Sequence, residues 1–476
     1  MPSITIDVAA ILVWMDWLGA QHPLIIMWEL FRAGGWIPML IVMLRGFWWI
    51  WINERQFKFM QSVNPVLLAI DVPKSTEQTP KAVENIFAHL LGAHSTHTRK
   101  EKYWEGKMHP VFSFEIVSIE GYVQFLIRVW SKYRDLVEAI VYAQYPEAEI
   151  TEVEDYVLNA PQKWPWPNKE WGLFGSEFVL SKPEYYPLKT HADFTDPVSG
   201  EFKDPMAGLL ESLAMLQPGE QVWLQMLVTT TKQDWQEKGE KLVKKLIGTK
   251  VTPKATMLDK AMDLPLHALD LGVQGLVGGE SAKPVQKKDD VRSQMLYLSP
   301  GERFVVERVE QKLSKIGLHT KIRFIYIAPK KKFRTGTIIS FVRGALQQFT
   351  TLNMNKLGFA GSVTTKYDYF WQLNPIFFYL SGTFYKTTNE RIKSIFLAYK
   401  YRSNWRGAQH YILSTEELAS IWHFPSLLVK TPSLKKAESK RAEPPIRLPV
   451  ERPPVFTPKQ APTAATGEPP ANLPGA

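Results

Sequence analysis

The chain has 476 residues, a formal charge of +10 and 45% hydrophobic content, enough for about two to four domains with sizeable cores. It contains no cysteine, which excludes disulfides, thiolate catalysis, Cys-ligated zinc and iron–sulfur clusters. The positive charge permits contact with nucleic acid or anionic lipid without demanding either.

Seven of the seventeen tryptophans precede residue 52: Trp14, Trp17, Trp28, Trp36, Trp48, Trp49 and Trp51. Tryptophan concentrates at membrane–water interfaces because its ring is apolar and its N–H polar. Residues 35–52, GWIPMLIVMLRGFWWIWI, carry one charge, Arg45. A helix of roughly twenty apolar residues spans a bilayer core, and a long arginine can snorkel from it. Residues 9–31 are also apolar but contain Asp16, His22, Pro23 and Glu29; an interfacial segment, a re-entrant piece and a second span all remain open. A secretory signal is disfavoured because no Lys or Arg precedes Arg32. A buried core helix is the bland competitor, and the crowded tryptophans and Pro38 argue against it. Arg55, Lys58, Lys74, Lys81, Arg99, Lys100, Lys102 and Lys107 follow the span. Positive charge after the span places the bulk of the chain in the cytoplasm. Residues 1–55 are therefore expected to be a membrane anchor with the lipid bilayer as its partner.

Residues 60–160 read as one α/β domain. VLLAIDV (66–72) is a strand and TPKAVENIFAHLLGAH (79–94) a helix. FSFEIVSI (112–119) and YVQFLIRV (122–129) alternate around Glu120-Gly121, a hairpin with a two-residue loop. Phe112, Phe114, Ile116, Val123, Phe125, Ile127 and Val129 share one face. A helix follows, with Ser131 as its N-cap, and AEITEVEDYV (148–157) is the last strand. This β-α-β-β-α-β order is ferredoxin-like. Residues 170–430 hold a second α/β region: a strand at 177–182, a helix at 204–217, a strand at 220–230, a helix at 234–248, an irregular insertion at 249–292, a helix at 299–317 and a strand at 318–328. The predicted class is α+β: a transmembrane helix, then duplicated ferredoxin-like units. From residue 430 onward the chain carries eleven prolines, so 431–476 is expected to be a disordered Pro-rich tail.

Motifs for bond chemistry are scarce. A P-loop needs G-x-x-x-x-G-K-[ST]. The Gly106-Lys107 pair is followed by Met108, and position 101 is Glu. GLVGGESAK (275–283) has neither P-loop spacing nor the last glycine of G-x-S-x-G. Ser433 and Lys436 fit S-x-x-K by chance in the tail. His89, His94 and His97 have no fixed acidic partner, and a polar helix end explains them better than a metal. Glu149, Glu152, Glu154 and Asp155 read as the solvated side of an edge strand. Basic runs at 330–334 and 385–406 remain. Lys386, Arg391, Lys393, Lys400, Arg402 and Arg406 interleave with Tyr385, Phe396, Tyr399, Tyr401 and Trp405, a mixture that can hold phosphates and stack bases. A solvated basic face is the simpler alternative. No catalytic, cofactor-binding or metal-ligating residue is predicted, and no cofactor.

Four stretches carry a resemblance: GKMHPVFSFEIVSIEGYVQFLIRVWSKYRDLVEAIVYAQYPEAEITEVEDY (106–156), GSEFVLSKPEYYPLKTHADF (175–194), DPMAGLLESLAMLQPGEQVWLQMLV (204–228), and ILSTEELASIWHFP with KRAEPP (412–425, 440–445). Together they resemble the N-terminal, non-ATPase region of bacterial membrane-anchored proteins related to the DNA-transfer ATPases of type IV secretion and conjugation. In longer relatives the last stretch leads into a P-loop motor, which this sequence does not contain. The resemblance implies a non-enzymatic scaffold at the bacterial inner membrane that docks a separate P-loop ATPase. DNA and a second copy of the chain are the other partners considered. The alternative is a membrane-tethered nucleic-acid-binding module.

Overall fold

A computed structural model describes Val13, Asp16, Trp17 and residues 21–73, 76, 78–158, 166–196, 198–200, 202–231, 234–248, 298–365 and 387–425. The insertion at 249–292, the tail at 431–476 and the Gly-rich and S-x-x-K stretches lie outside the described residues. The chain forms two compact units. One contains Met1–Asn64 and Ser95–His109; the other contains Pro65–His94 and everything from Pro110.

In the first unit, α1 (Pro23–Leu30) has eight residues, too few to cross a bilayer. A π-helical turn follows at Phe31–Gly35, with Gly34 at a φ of 117°. Then α2 (Trp36–Ser62) runs for 27 residues without a buried side chain. Helices of soluble domains bury one apolar stripe. Here the apolar side chains lie exposed all around, among them Met39, Ile41, Val42, Phe47 and Trp49. Among the described residues α2 is the one helix long and apolar enough to cross a membrane.

The second unit is a mixed α/β body on one antiparallel sheet. β1 (Pro65–Asp71), α3 (Pro80–His89), β2 (Val111–Ile119), β3 (Tyr122–Trp130), α4 (Arg134–Gln144) and β4 (Glu149–Val153) come first. Their strands lie in the order β4-β1-β3-β2. The β2–β3 loop is Glu120-Gly121, at φ of 55° and 88°. Both angles are positive, as the tight hairpin turn that matches strand twist requires. A Cβ on Gly121 would lie 2.7 Å from the Ala214 carbonyl oxygen, so glycine is required there twice over. Ser131 does not cap α4. It opens a 3₁₀ turn, and the α-helix begins at Arg134 without a side-chain cap.

The rest of the body extends the same sheet. β5 (Trp171–Leu180), α5 (Met206–Ala214), β6 (Gln221–Thr229), α6 (Trp235–Leu246), α7 (Pro300–Leu313), β7 (Gly317–Pro329), α8 (Thr335–Gln347) and β8 (Leu357–Phe359) follow, with strand order β6-β7-β5-β8. β2 pairs antiparallel with β6 along its whole length, from Val111↔Thr229 to Ile119↔Gln221. The segments 60–160 and 170–430 therefore share one sheet, broader than separate ferredoxin-like units. The open edge of β2 is covered by β6, which satisfies its backbone groups. α7 ends at Leu313, earlier than 317, because Gly317 already pairs with Ser414 of β9 (Tyr411–Ser414).

The face bearing Phe112, Phe114, Ile116, Val123, Phe125, Ile127 and Val129 is buried under α3, α4, α5, α8 and α10 (Thr415–Ile421). α10 begins with a capping box in which Ser414 and Glu417 satisfy each other's backbone N–H. Just beyond it, the Trp422 ring meets Phe114 edge-on at 4.9 Å and Phe125 at 5.7 Å. α9 (Thr388–Lys400) covers part of the opposite face, packing Ile395, Phe396 and Tyr399 near Leu126, Trp223, Ile325 and Ile327.

Candidate functional site

The basic–aromatic segment maps onto α9 and the loop behind it. α9 opens with Thr387, whose side chain accepts from the Glu390 N–H in a capping box. Lys386 and Tyr385 lie outside the described residues. The five described candidates are not all at the surface. Arg391 is buried, with a guanidinium N–H to the Thr364 carbonyl at 3.1 Å. Arg402 is also buried, at 4% exposure. Lys393 and Arg406 are exposed, and Lys400 is half-buried. Trp405 and Tyr401 are exposed at 73% and 58%, and the Lys400 ammonium lies 6.0 Å from the Tyr401 ring centre. A cationic and aromatic surface thus survives at Lys393, Lys400, Tyr401, Trp405 and Arg406. Arg391 and Arg402 serve the fold.

Beneath this surface lies a polar row running straight across the sheet. Glu115 on β2 faces Gln225 on β6, Gln225 faces Arg323 on β7, and Arg323 faces Glu177 on β5. All four are fully buried. Strand alternation aims them at the face under α9, away from the Phe112–Phe114 core. Unpaired, such groups would be expensive to bury. Each is instead multiply bonded. Arg323 Nε donates to Glu177 Oε1 at 2.6 Å. Its other nitrogens donate to Gln225 Oε1 and to the carbonyls of Ala398, Ser403 and Arg406. The second Glu177 oxygen accepts from the Ala408 N–H. Glu115 receives both Nε and a terminal nitrogen of Arg402, at 2.9 and 3.1 Å. It also accepts from Ser113, Gln225 and Tyr156.

The protonation states follow. Burial pushes the Glu115 carboxyl up, but the Arg402 charge and the hydrogen bonds from Arg402, Ser113 and Tyr156 outweigh it and hold the group below the usual range. Burial, and then Glu115, push the Tyr156 hydroxyl well up. Tyr399 is likewise raised by burial and by Glu115. Tyr156 gives its proton to Glu115 at 2.7 Å, so the 2.6 Å contact between the two hydroxyls is donated by Tyr399. Asp155, expected on the solvated side of the edge strand, pairs with Arg402 instead. Glu152 of the same cluster meets Arg134 at 3.2 Å and stays partly exposed.

The row clamps the loop after α9. Arg323 and Lys321 both hold the Arg406 carbonyl, and Lys321 also holds that of Asn404 at 2.7 Å. At Gly407 φ is 95°, and a Cβ there would collide with the Glu177 carboxylate. Gly407→Ala is expected to destabilise the body by about 1–3 kcal/mol and to speed tryptic cleavage at Arg406, both measured on purified protein. Burial pulls the Lys321 ammonium down to about 8; Glu177 opposes this and Arg323 adds to it. Between that value and the ordinary lysine range the unfolded chain holds more protons than the folded one. Stability should therefore rise with pH from about 8 towards the ordinary lysine value of 10.5. Urea titrations of wild type and Lys321→Met across that window should lose this rise in the variant.

Other candidates take plainer roles. His89 Nδ1–H donates to the Asn85 carbonyl at 2.7 Å, and His94 Nδ1 meets the Thr230 hydroxyl. His97 meets the His109 ring edge-on at 5.0 Å. Among the described residues no group of His, Asp and Glu is arranged to hold a metal. Lys330, Lys331 and Lys332 form a 3₁₀ turn, while Arg334 is spent on Glu220 at 2.6 Å. Lys312 is buried against Glu417 at 2.9 Å.

No curated protein matches the chain. A family model, described as a domain of unknown function, matches residues 59–356, a stretch that holds Glu115, Glu177, Gln225 and Arg323 and stops short of α9. That match covers more than half of the chain, and the chain belongs to the DUF8128 family.

Proposed function

We propose that this protein is a membrane-anchored, non-catalytic scaffold of a type IV secretion- or conjugation-like assembly that docks a separate P-loop ATPase. The carrying observation is α2, a 27-residue helix with no buried side chain and an apolar run long enough to cross a membrane, in a chain that also holds a large α/β body. Leaving that much apolar surface in water is unfavourable by about 25 cal/mol per Å², and a bilayer removes the cost. The basic residues after α2 favour a bacterial inner membrane with the body in the cytoplasm. Two features support the assembly reading. The resembling stretches fall on the frame of the body: β2 to β4, β5, α5 with β6, and β9 with α10. The strand orders β4-β1-β3-β2 and β6-β7-β5-β8 also suit two ferredoxin-like units joined edge to edge. The deep polar row acts as a brace for that frame, and its groups are occupied with one another.

Because the chain has no cysteine, a single introduced thiol reports topology cleanly. Leu352 is 93% exposed on the body. Leu352→Cys should resist a membrane-impermeant maleimide in intact spheroplasts and react after permeabilisation. Labelling without permeabilisation would refute the orientation. Alkaline carbonate should leave the protein in the membrane pellet, and release into the supernatant would refute the anchor.

A second reading rests on the exposed Trp405 and Tyr401 and on Lys393, Lys400 and Arg406 of the same segment. A membrane-tethered nucleic-acid-binding module would use them for stacking and phosphate contact. It predicts that single-stranded DNA binding weakens with salt, with a log–log slope of about −2 for three neutralised phosphates. Trp405→Ala should then cost about 1–3 kcal/mol of binding. A flat salt response, or an unaffected variant, would dismiss this reading.

A further inference from the structure

In the first unit, residues 98–107 form a strap that folds back on α2 between Phe47 and Arg55. Thr98 caps it through Glu101, whose carboxylate accepts from the Thr98 N–H and hydroxyl and from Lys107 at 2.8 Å. The strap is fastened by aromatic contacts. Trp51 Nε1–H donates to the Tyr103 carbonyl at 3.1 Å. Trp48 packs on Tyr103 and Trp51 on Trp104, each with ring centres 5.5 Å apart. The Arg55 guanidinium lies 4.3 Å from the Trp51 ring centre and 5.6 Å from that of Trp104. The strap turns away at Gly106, which has a φ of 74° and sits so close that a Cβ would collide with the Arg55 backbone. Only glycine allows that approach.

Between strap and helix lies a cavity of about 500 Å³, lined by Phe47, Trp48, Trp51, Tyr103 and Trp104, with Arg99 and Lys100 at its wall. The walls are largely apolar and the charges at them have one sign. Lys107 neutralises Glu101 and also meets Glu105 at 3.2 Å. Among the described residues, neither Arg99 nor Lys100 pairs with a carboxylate. The level of the cavity along the helix is informative. Trp36–Ile52 rises about 25 Å at about 1.5 Å per residue, close to the thickness of a hydrocarbon core. Asn53, Glu54 and Arg55 then end the apolar run. Trp48 and Trp51 therefore fall where tryptophan belts sit, at the headgroup boundary.

We propose that this cavity is a binding site for one anionic glycerophospholipid, with Arg99 and Lys100 on its phosphate and Phe47 and Trp48 against the start of its acyl chains. The site rests on the membrane reading of α2. An apolar pocket with two unspent cations suits a ligand that is apolar at one end and anionic at the other, and the interface is where such a ligand is held in register with the protein. Glu101 and Glu105 are engaged by Lys107, which leaves the pocket's positive field to the lipid. Arg55, stacked on Trp51 and Trp104, serves as a positioning residue for the aromatic wall.

The test uses the full-length protein in mild detergent micelles doped with phosphatidylglycerol or phosphatidylcholine, read by native mass spectrometry. Wild type should retain one phosphatidylglycerol in preference to phosphatidylcholine. Arg99→Gln/Lys100→Gln should weaken that retention about tenfold. Both proteins should stay membrane-bound through carbonate extraction, which reports on α2 separately. Equal retention of the two lipids, or full retention by the double variant, would overturn the site while leaving the anchor standing. Wild type released by carbonate would overturn the anchor and the site together.

Discussion

Arg323→Met is expected to lower the unfolding free energy of the body by about 3–5 kcal/mol, because it strands Glu177 as an unpaired buried carboxylate. Both side chains are fully buried and meet at 2.6 Å. The same substitution removes the donor shared by the Ala398, Ser403 and Arg406 carbonyls; Ala398 keeps the Ser403 N–H and Arg406 keeps Lys321, while Ser403 loses its side-chain donor. The lost hydrogen bonds at the loop add to the cost. Glu177→Leu/Arg323→Met should recover part of the stability, since a well-packed apolar pair can replace a buried ion pair. Recovery should be incomplete, because the loop after α9 still lacks its clamp. The measurement is the midpoint of chemical unfolding in detergent, with tryptic cleavage at Arg402 and Arg406 as a local readout. A single variant with an unchanged midpoint would mean that the row is not the brace described here.

Trp422→Ala should cost about 3–5 kcal/mol by the same measurement. Trp422 is 2% exposed, and its ring touches those of Phe87, Phe114, Phe125 and Phe424. These belong to α3, β2, β3 and the chain beyond α10, so the indole joins the C-terminal segment to the first four strands. Removing it opens a cavity among residues that cannot easily close it, since three of the four partners are fixed on the sheet or on α3. α10 should loosen with it, seen as faster amide exchange over 415–421. Glu417 provides the comparison. It holds Lys312, the Leu188 N–H and the Ser414 N–H at once, so Glu417→Gln should loosen α10 without opening a cavity.

Much of this architecture is legible in the sequence. The alternation of FSFEIVSI and YVQFLIRV, with Glu120-Gly121 between, sets a hairpin and its buried face, and β2 and β3 carry both. Ser299 before Pro300, with Glu302 three residues later, marks a helix start, and the capping box forms there. What alternation hides is the fate of its polar positions. Ser113, Glu115, Gln225 and Arg323 occupy sites that a one-sided sheet leaves in water, yet α9 and its loop cover them. The signal is an ionisable residue set within each apolar strand: Glu115 in FSFEIV, Glu177 in GSEFVL, and Lys321 with Arg323 in KIRFIYI. Isolated charges of this kind point to partners across a sheet more readily than to solvent. Strand pairing was equally hidden, because the partners β2 and β6 are more than a hundred residues apart and nothing local specifies their edge contact.

The basic segment teaches a related lesson. Arg391, Lys393, Lys400, Arg402 and Arg406 look alike in one dimension. The helix period and the αL turn at Arg402, with a φ of 48°, send two of them inward and leave the others outside. Arginine suits the inward places because its fork meets Glu115 and Asp155 together. Lysine would meet fewer of those oxygens.

The central claim is that the anchored body docks a motor. The most direct measurement is purification of the full-length protein from native membranes in mild detergent, followed by identification of what co-elutes at fixed stoichiometry. A P-loop ATPase is expected, lost when Arg323→Met destabilises the body from within and retained when Trp405→Ala alters only the exposed surface of the α9 loop. A protein that elutes without an ATPase, at a detergent concentration that preserves other membrane complexes, would contradict it.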